Sequence, residues 1–134
     1  MRAHVESYLE GRRTAGLSAS AEGWRVARSI FVADDDATAR AYADRADGAH
    51  GFYFHVMRTK LAKSGALDVM GDEPLVIAGT PQGVAEQILA FRKAVGPFGT
   101  LLYTGHDWVD PVLARRSMEL MAREVIPRIN EGAR

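Results

Sequence analysis

Apolar positions in this chain follow two spacings, one typical of amphipathic helices and one typical of buried strands. Helical patterns occupy five stretches: residues 1–16, 37–46, 52–63, the segment after Thr80 and the segment after Asp110. Two apolar runs of strand length, 24–33 and 98–104, lie among them, and 75–78 is a third and shorter run. The alternation of strands with helices predicts an α/β fold with parallel strands and four or five helices.

The run WRVARSIFVA at 24–33 has apolar residues on both of its faces. This distribution predicts a strand that is covered on both sides, as in a parallel sheet. Arg28 is the exception, because it shares a face with Val26 and Ile30. Two interpretations of Arg28 stay open: an arginine near a strand end that reaches solvent or a carboxylate, or an arginine inside a barrel that binds an anion.

Capping residues mark three helix starts. Thr80 precedes Pro81 and Asp110 precedes Pro111, so each pair places an N-cap side chain before a proline at the first helical position. One of the aspartates at 34–36 is expected to cap the helix that follows them, where a negative charge complements the helix N-terminus. We predict no metal site there, since adjacent aspartates point in different directions and the spacing of a calcium loop is missing.

The apolar stripes of the helices predict which residues are buried. The helix after Thr80 and the last helix supply most of the predicted core: Val84, Ile88, Phe91 and Val95, then Leu113, Met118, Met121, Val125 and Ile129. A third stripe is predicted in the helix at 52–63: Phe52, Val56, Met57 and Leu61. The neighbouring His50 and His55 are predicted to be at the surface or partly buried. Pro127 is predicted to end or kink the last helix, because it lacks an amide hydrogen.

Composition narrows the class of protein. The chain has 134 residues, and its 17 basic and 17 acidic side chains cancel. This neutral balance gives no footprint for nucleic acid or an anionic membrane. There is no cysteine, which excludes a disulfide scaffold, and no apolar run approaches the ~18 residues of a membrane span. We therefore expect a cytoplasmic protein.

Two stretches carry a resemblance to a known family. Residues 79–129 read GTPQGVAEQILAFRKAVGPFGTLLYTGHDWVDPVLARRSMELMAREVIPRI, and the strand and helix before them read WRVARSIFVADDDATARAYA. In this order they resemble the C-terminal part of the bacterial luciferase-like, flavin-dependent monooxygenases. The branch of limonene monooxygenase-type enzymes is the most similar.

The resemblance implies a portion of a larger fold. The family has a TIM (β/α)8 barrel, in which 24–33 would be the seventh strand and 98–104 the eighth. Because a complete barrel takes ~250 residues, residues 1–134 are expected to form a single partial domain. The early strands, which in the family hold most contacts to flavin mononucleotide (FMN) and the usual active-site histidine, have no counterpart in this sequence.

The resemblance also implies a function. The family uses reduced flavin and O2 to oxygenate a small organic substrate, and the residues after strand 98–104 would face that reaction: Gly105, His106, Asp107 and Trp108. Gly105 would allow close backbone approach, His106 would donate a hydrogen bond or proton, and Trp108 would wall the flavin or substrate. Each has a structural alternative, namely a turn for Gly105, helix capping for Asp107 and packing for Trp108. No catalytic residue is assigned.

We do not expect the chain alone to hold FMN or to be active, and whether it is itself an enzyme stays open. Parallel strands need neighbours on both edges, so a homodimer or association with the missing part of the barrel is expected. The alternative hypothesis is a non-catalytic α/β module that self-associates and binds no flavin. The sequence does not identify the substrate.

Overall fold

A computed structural model describes residues 2–45, 48–66, 76–105 and 110–132 of the chain. Its elements follow in the order α1 (Arg2–Thr14), β1 (Arg25–Val32), α2 (Asp36–Asp44), α3 (Ala49–Lys63), β2 (Val76–Gly79), α4 (Pro81–Val95), β3 (Thr100–Thr104), α5 (Pro111–Leu120) and α6 (Ile126–Gly132). The predicted α/β class is confirmed. In the described ranges, no helix has both the length and the apolarity that crossing a membrane would require.

The three strands form one parallel sheet in the order β2-β1-β3. The first five residues of β1 pair with β3, from Arg25 opposite Thr100 to Ser29 opposite Thr104. The last four residues of β1 pair with β2, ending with Val32 opposite Gly79. The two long strands of the sequence prediction are therefore parallel neighbours, and β1 lies at the centre of the sheet.

Helices cover both faces of the carboxyl half of β1. Ile30 and Val32 belong to the largest core cluster, where they pack against α4 and against the continuous C-terminal helix that runs from α5 to α6. On the opposite face Phe31 stacks on Tyr42 of α2, with ring centroids 4.0 Å apart. The amino half of β1 is covered on one face only, because Val26 is buried whereas Ala27 is exposed. Burial on both faces, predicted for the whole strand, thus holds only for residues 29–32.

The predicted helix caps are confirmed. Among the three aspartates the cap of α2 is Asp35, whose Oδ1 accepts a hydrogen bond from the Thr38 amide at 2.8 Å. Thr80 Oγ1 accepts from the Gly83 amide at 3.3 Å at the start of α4. Asp110 Oδ1 accepts from the amides of Val112 and Leu113 at the start of α5. These starts are fixed by local chemistry, and the structure has them where the sequence predicts them.

The C-terminal helix continues past Pro127 rather than ending there. A wider, π-helical stretch, Met121–Val125, joins α5 to α6. A proline removes one backbone donor and crowds the preceding turn, and a wider turn just before it accommodates both effects.

Two parts of the predicted core are wrong. Met118 is 46% exposed, because α5 turns the smaller Ala114 and Ser117 toward the sheet. Phe52 is also exposed, at 62%, although α3 packs against the short helix α2. His50 departs from the prediction in the opposite direction: it is buried, edge-on to the Tyr42 ring with centroids 6.0 Å apart. His55 is exposed, as predicted.

Candidate functional site

The carboxyl ends of the three parallel strands lie at the same edge of the sheet. Ala33 and Asp34 follow β1, Thr80 follows β2, and Gly105 follows β3. In α/β folds, ligands meet the protein at this edge. Gly105 is half-buried directly after the strand. His106, Asp107 and Trp108 lie outside the described residues, and their roles stay predictions.

A buried serine fixes the end of β1 to α5. Ser117 has no exposed surface. Its Oγ accepts a hydrogen bond from the Val32 amide at 2.8 Å and lies 3.1 Å from the Tyr103 hydroxyl, with which it forms a second hydrogen bond. One side chain therefore links the last residue of β1, the carboxyl half of β3 and the inner face of α5.

An ion pair makes a second link between β1 and α5. The Arg116 guanidinium donates to both Asp34 carboxylate oxygens, from Nε at 3.0 Å and from Nη2 at 2.6 Å. These hydrogen bonds hold the pKa of Asp34 below its usual value and raise the pKa of Arg116. Both side chains are solvent-exposed, so the pair contributes orientation more than stability. Its two-point geometry holds the turn after β1 against α5.

The end of β2 is held by the start of α2. Asp36 Oδ1 accepts a hydrogen bond from the Thr80 amide at 3.2 Å. The Ala33 amide donates to the Gly79 carbonyl at 3.0 Å, which extends the pairing of β1 with β2 by one residue. Gly79 has φ +154°, and a Cβ there would lie 3.3 Å from Asp36 Oδ1. Asp36 can therefore approach this closely because residue 79 has no side chain.

Arg28 lies on the face of β1 that bears α4. Its guanidinium carbon is 4.3 Å from the centroid of the Phe91 ring, a cation–π distance. Phe91 belongs to the predicted stripe of α4, which is buried along most of its length. The structure thus gives Arg28 an aromatic neighbour that neither sequence interpretation anticipated. A role in binding an anion stays a prediction.

An apolar groove of about 450 Å³ runs along β3 on the same helix-bearing face. It extends from Phe98 and Gly99, before the strand, to Tyr103 near its carboxyl end. α4 and the C-terminal helix form its other walls. These walls are mainly apolar but include one charged and one polar side chain: Ile88, Arg92, Met118, Met121, Ala122, Ile126, Ile129 and Asn130. The groove flanks the length of β3 and is not centred on the carboxyl ends of the strands. We define the β3 groove by these residues.

Sequence reasoning missed the groups that hold this edge together. Ser117 interrupts an apolar stripe, and periodicity alone assigns it no partner. Arg116 and Asp34 are 82 positions apart, and single charges in a helix and a turn carry no signal of pairing. Among the described residues, no group of three His, Asp or Glu side chains lies close enough together to hold a metal ion.

Known proteins resemble this chain over nearly all of its length. It is 33% identical to 4-hydroxyprotoasukamycin monooxygenase of Streptomyces nodosus subsp. asukaensis over 94% of the chain and 34% of that protein. It is 27% identical to limonene 1,2-monooxygenase of Rhodococcus erythropolis over 86% of the chain and 31% of that protein. No protein-family model matches the chain.

A solved structure has the same arrangement of elements. The oxygenating constituent of 3,6-diketocamphane monooxygenase from Pseudomonas putida, a type II Baeyer–Villiger monooxygenase in complex with FMN, superimposes with a TM-score of 0.76 and 29% identity. The match covers 96% of this chain and 39% of that one. The homologues are luciferase-like monooxygenases, as the sequence resemblance predicted. The chain spans only between 31% and 39% of the length of each of these three proteins.

Among the described residues, the carboxyl ends of the strands are only partly covered. Thr104 and Gly105 are only partly buried, and the Arg116 cation at this edge is engaged by Asp34. The opposite face of the β1–β3 pair is open at Ala27 and Leu102. Binding sites for molecules of this size bury most of the ligand surface. No catalytic step is therefore derived from these residues.

Proposed function

We propose that this chain is the C-terminal portion of a flavin-dependent monooxygenase that uses reduced FMN and O2 to oxygenate a small organic substrate. The observation that carries the proposal is the superposition, over nearly the whole chain, on a monooxygenase that binds FMN. The matching curated relatives are monooxygenases as well. The substrate class stays open, because the loops that would define it lie outside the matched portion.

In this proposal the carboxyl ends of β1 and β3 face the flavin. The flavin supplies the oxygen chemistry, while the protein orients it and excludes water. Gly105, His106, Asp107 and Trp108 would form the wall after β3. The Ser117 hydrogen bonds and the Asp34–Arg116 pair support that wall, since they fix the strand ends on which it is built.

The proposal includes inactivity of the isolated chain. The described residues leave one face of the β1–β3 pair open, and in this proposal they would form only one wall of the flavin site. We infer that the barrel is completed by the polypeptide that makes up the remainder of the homologous monooxygenases. In that complete form the fold would be a (β/α)8 barrel with β1 and β3 as its seventh and eighth strands.

Spectroscopy with gel filtration tests the proposal on the chain as it exists. The purified chain is mixed with FMN, passed over the column and examined for visible absorbance in the protein peak. The proposal expects no flavin in that peak. A monomer that carries stoichiometric FMN would contradict the requirement for the rest of the barrel.

In the described residues, β3 is an outer strand of the sheet and pairs only with β1. This unpaired edge also supports the second candidate function, a self-associating module without flavin. A dimer at micromolar concentration would favour it, provided that FMN is also absent when the missing polypeptide is supplied. Retention of FMN in the presence of that polypeptide would exclude it.

A further inference from the structure

We propose that the β3 groove binds a small apolar carboxylate, with Arg92 as the group that recognises the acid. The groove lies along the helix-bearing face of β3 and is not centred on the carboxyl ends of the strands. The flavin is proposed to lie at those ends, so the groove is a separate site. The inference therefore goes beyond the proposed function and does not depend on it.

The polar side chains of the groove lie at one of its ends. Arg92 belongs to the last turn of α4, and β3 begins soon after that helix, so Arg92 lies near the amino end of the strand. A Cβ at Gly132 would lie 2.8 Å from Leu89 Cδ1, which places the end of α6 beside the same part of α4. Asn130 of α6 lines the groove as well. The guanidinium and the amide are thus at the same end.

Arg92 brings a positive charge that no acidic residue of the groove balances. Its side chain is half-buried, and in the described part of the chain its guanidinium has no ion pair and no hydrogen bond. No aspartate or glutamate is among the residues that line the groove. Lys93, which lines a neighbouring depression together with Arg92, adds charge of the same sign. A guanidinium presents a planar set of donors that matches a carboxylate, so the charge favours an acid as the ligand.

The rest of the groove suits an apolar body of limited length. Its volume of about 450 Å³ lies in the range of small-molecule sites. Met118 is 46% exposed and Ile126 is 44% exposed on its walls, so a ligand there would remove apolar surface from water. From Gly99 to Tyr103 the strand extends for about 13 Å, at a rise of about 3.3 Å per residue. An extended alkyl chain with a terminal carboxylate, such as decanoate, matches that length.

Titration calorimetry with decanoate and with decanol tests the role of charge. The two probes share an alkyl chain and differ in the carboxylate. Decanoate should bind the chain about tenfold more tightly than decanol, because a charge-assisted hydrogen bond to a half-buried guanidinium contributes at least that factor. Equal affinities, or no binding of decanoate, would overturn the inference. This comparison uses the unaltered chain, so it does not depend on the folding of any variant.

NMR of labelled methionine methyl groups locates the bound probe. Met118 and Met121 line the groove, whereas Met57 lies on α3 and does not. Decanoate should shift the methyl signals of Met118 and Met121 and leave that of Met57 unchanged. Equal shifts of all three signals would indicate a detergent-like action on the whole protein, and unchanged groove signals would place the probe elsewhere. Either result contradicts the proposed site.

Arg92→Gln tests the cation directly. The variant should bind decanoate about tenfold more weakly than the unaltered chain does, while its affinity for decanol stays the same. Arg123→Gln is the matched control, since Arg123 is an exposed arginine of the C-terminal helix that does not line the groove, and it should change neither affinity. A cation in the last turn of α4 also complements the helix C-terminus. If that were the sole role of Arg92, its replacement would alter stability but not the preference for decanoate, and the inference would fail.

Met118→Glu tests the apolar part of the groove. It should weaken the binding of both probes by about tenfold or more, because a carboxylate would lie against the alkyl chain and lose its contact with water. Val112→Glu is the control, since Val112 is 78% exposed on the same helix and does not line the groove. It should leave both affinities unchanged, and circular dichroism verifies that each variant folds. Equal effects of the two glutamate substitutions would show that the alkyl chain does not lie in the groove.

Discussion

Replacing Ser117 with alanine tests whether this side chain stabilises the packing of the carboxyl ends of β1 and β3 against α5, as the structure shows. The change removes the hydroxyl that accepts from the Val32 amide and bonds the Tyr103 hydroxyl. Ser117 and Val32 are both buried, so solvent cannot replace the lost acceptor. The Val32 amide would be left as a buried donor without a partner.

A buried polar group that loses its partner costs about 1–3 kcal/mol. We therefore expect Ser117→Ala to lower the free energy of unfolding by about 2 kcal/mol. Tyr103→Phe should cost less, about 1 kcal/mol, because Tyr103 is only partly buried and the bond from Val32 to Ser117 remains. The effects of the two substitutions should not add, because they share one hydrogen bond.

Urea unfolding followed by circular dichroism measures these differences. With a slope of about 2 kcal/mol per molar urea, the midpoint for Ser117→Ala should fall by about 1 M. Ser64→Ala is the control, since Ser64 is exposed and its hydroxyl bonds only the local Leu61 carbonyl among the contacts described. If Ser117→Ala and Ser64→Ala unfold at the same midpoint, the Ser117 link does not stabilise the fold and the reasoning is refuted.

Two further predictions concern the backbone and the response to acid. Gly99→Ala should lower the free energy of unfolding by about 1–3 kcal/mol, because a Cβ there would overlap the Glu22 carbonyl group. Gly11→Ala lies in open space on α1 and should raise the free energy of unfolding by about 0.5–1 kcal/mol. Equal urea midpoints for the two variants would contradict the close approach of Gly99 to Glu22. Hydrogen bonds from Arg116 to Asp34 and from Thr38 to Asp35 lower the pKa values of these two carboxyl groups. The stabilisation that these hydrogen bonds provide is therefore present above the unfolded pKa value of 3.8, and it is lost as the pH falls through the lower pKa values of the folded state. The urea midpoint of unfolding should therefore decrease as the pH is lowered from about 5 to about 2, and it should decrease less in the double variant Asp34→Asn with Asp35→Asn. If the wild type and the double variant show the same dependence on pH, these two carboxyl groups do not cause the loss of stability in acid.

The sequence predicts the features of this fold that depend on neighbouring residues. Thr80 and Asp110 cap their helices as expected, since an N-cap needs only the amides two or three positions later. The two long strands were likewise predicted within two residues of their observed bounds. Helix α5 shows where such prediction ends, because its inner face was assigned to Met118 although Ser117 occupies it.

The candidate site depends on contacts between distant segments, which local patterns do not encode. The Asp34–Arg116 pair joins a turn to a helix, and the burial of His50 depends on how α3 meets Tyr42. The packing of Arg28 on Phe91 also required the relative placement of β1 and α4. The location of the candidate site at the carboxyl ends of the strands was predictable, because ligands of α/β folds bind there. The predicted roles of His106, Asp107 and Trp108 have not been tested.

Retention of FMN by the reconstituted complex tests the central claim most directly. The chain and the remaining part of the Pseudomonas putida monooxygenase are each mixed with FMN, separately and together, and passed over the same gel filtration column. The account predicts that flavin absorbance accompanies the protein only when both polypeptides are present. Flavin that accompanies this chain alone, or that fails to accompany a complex of the two polypeptides, would contradict it.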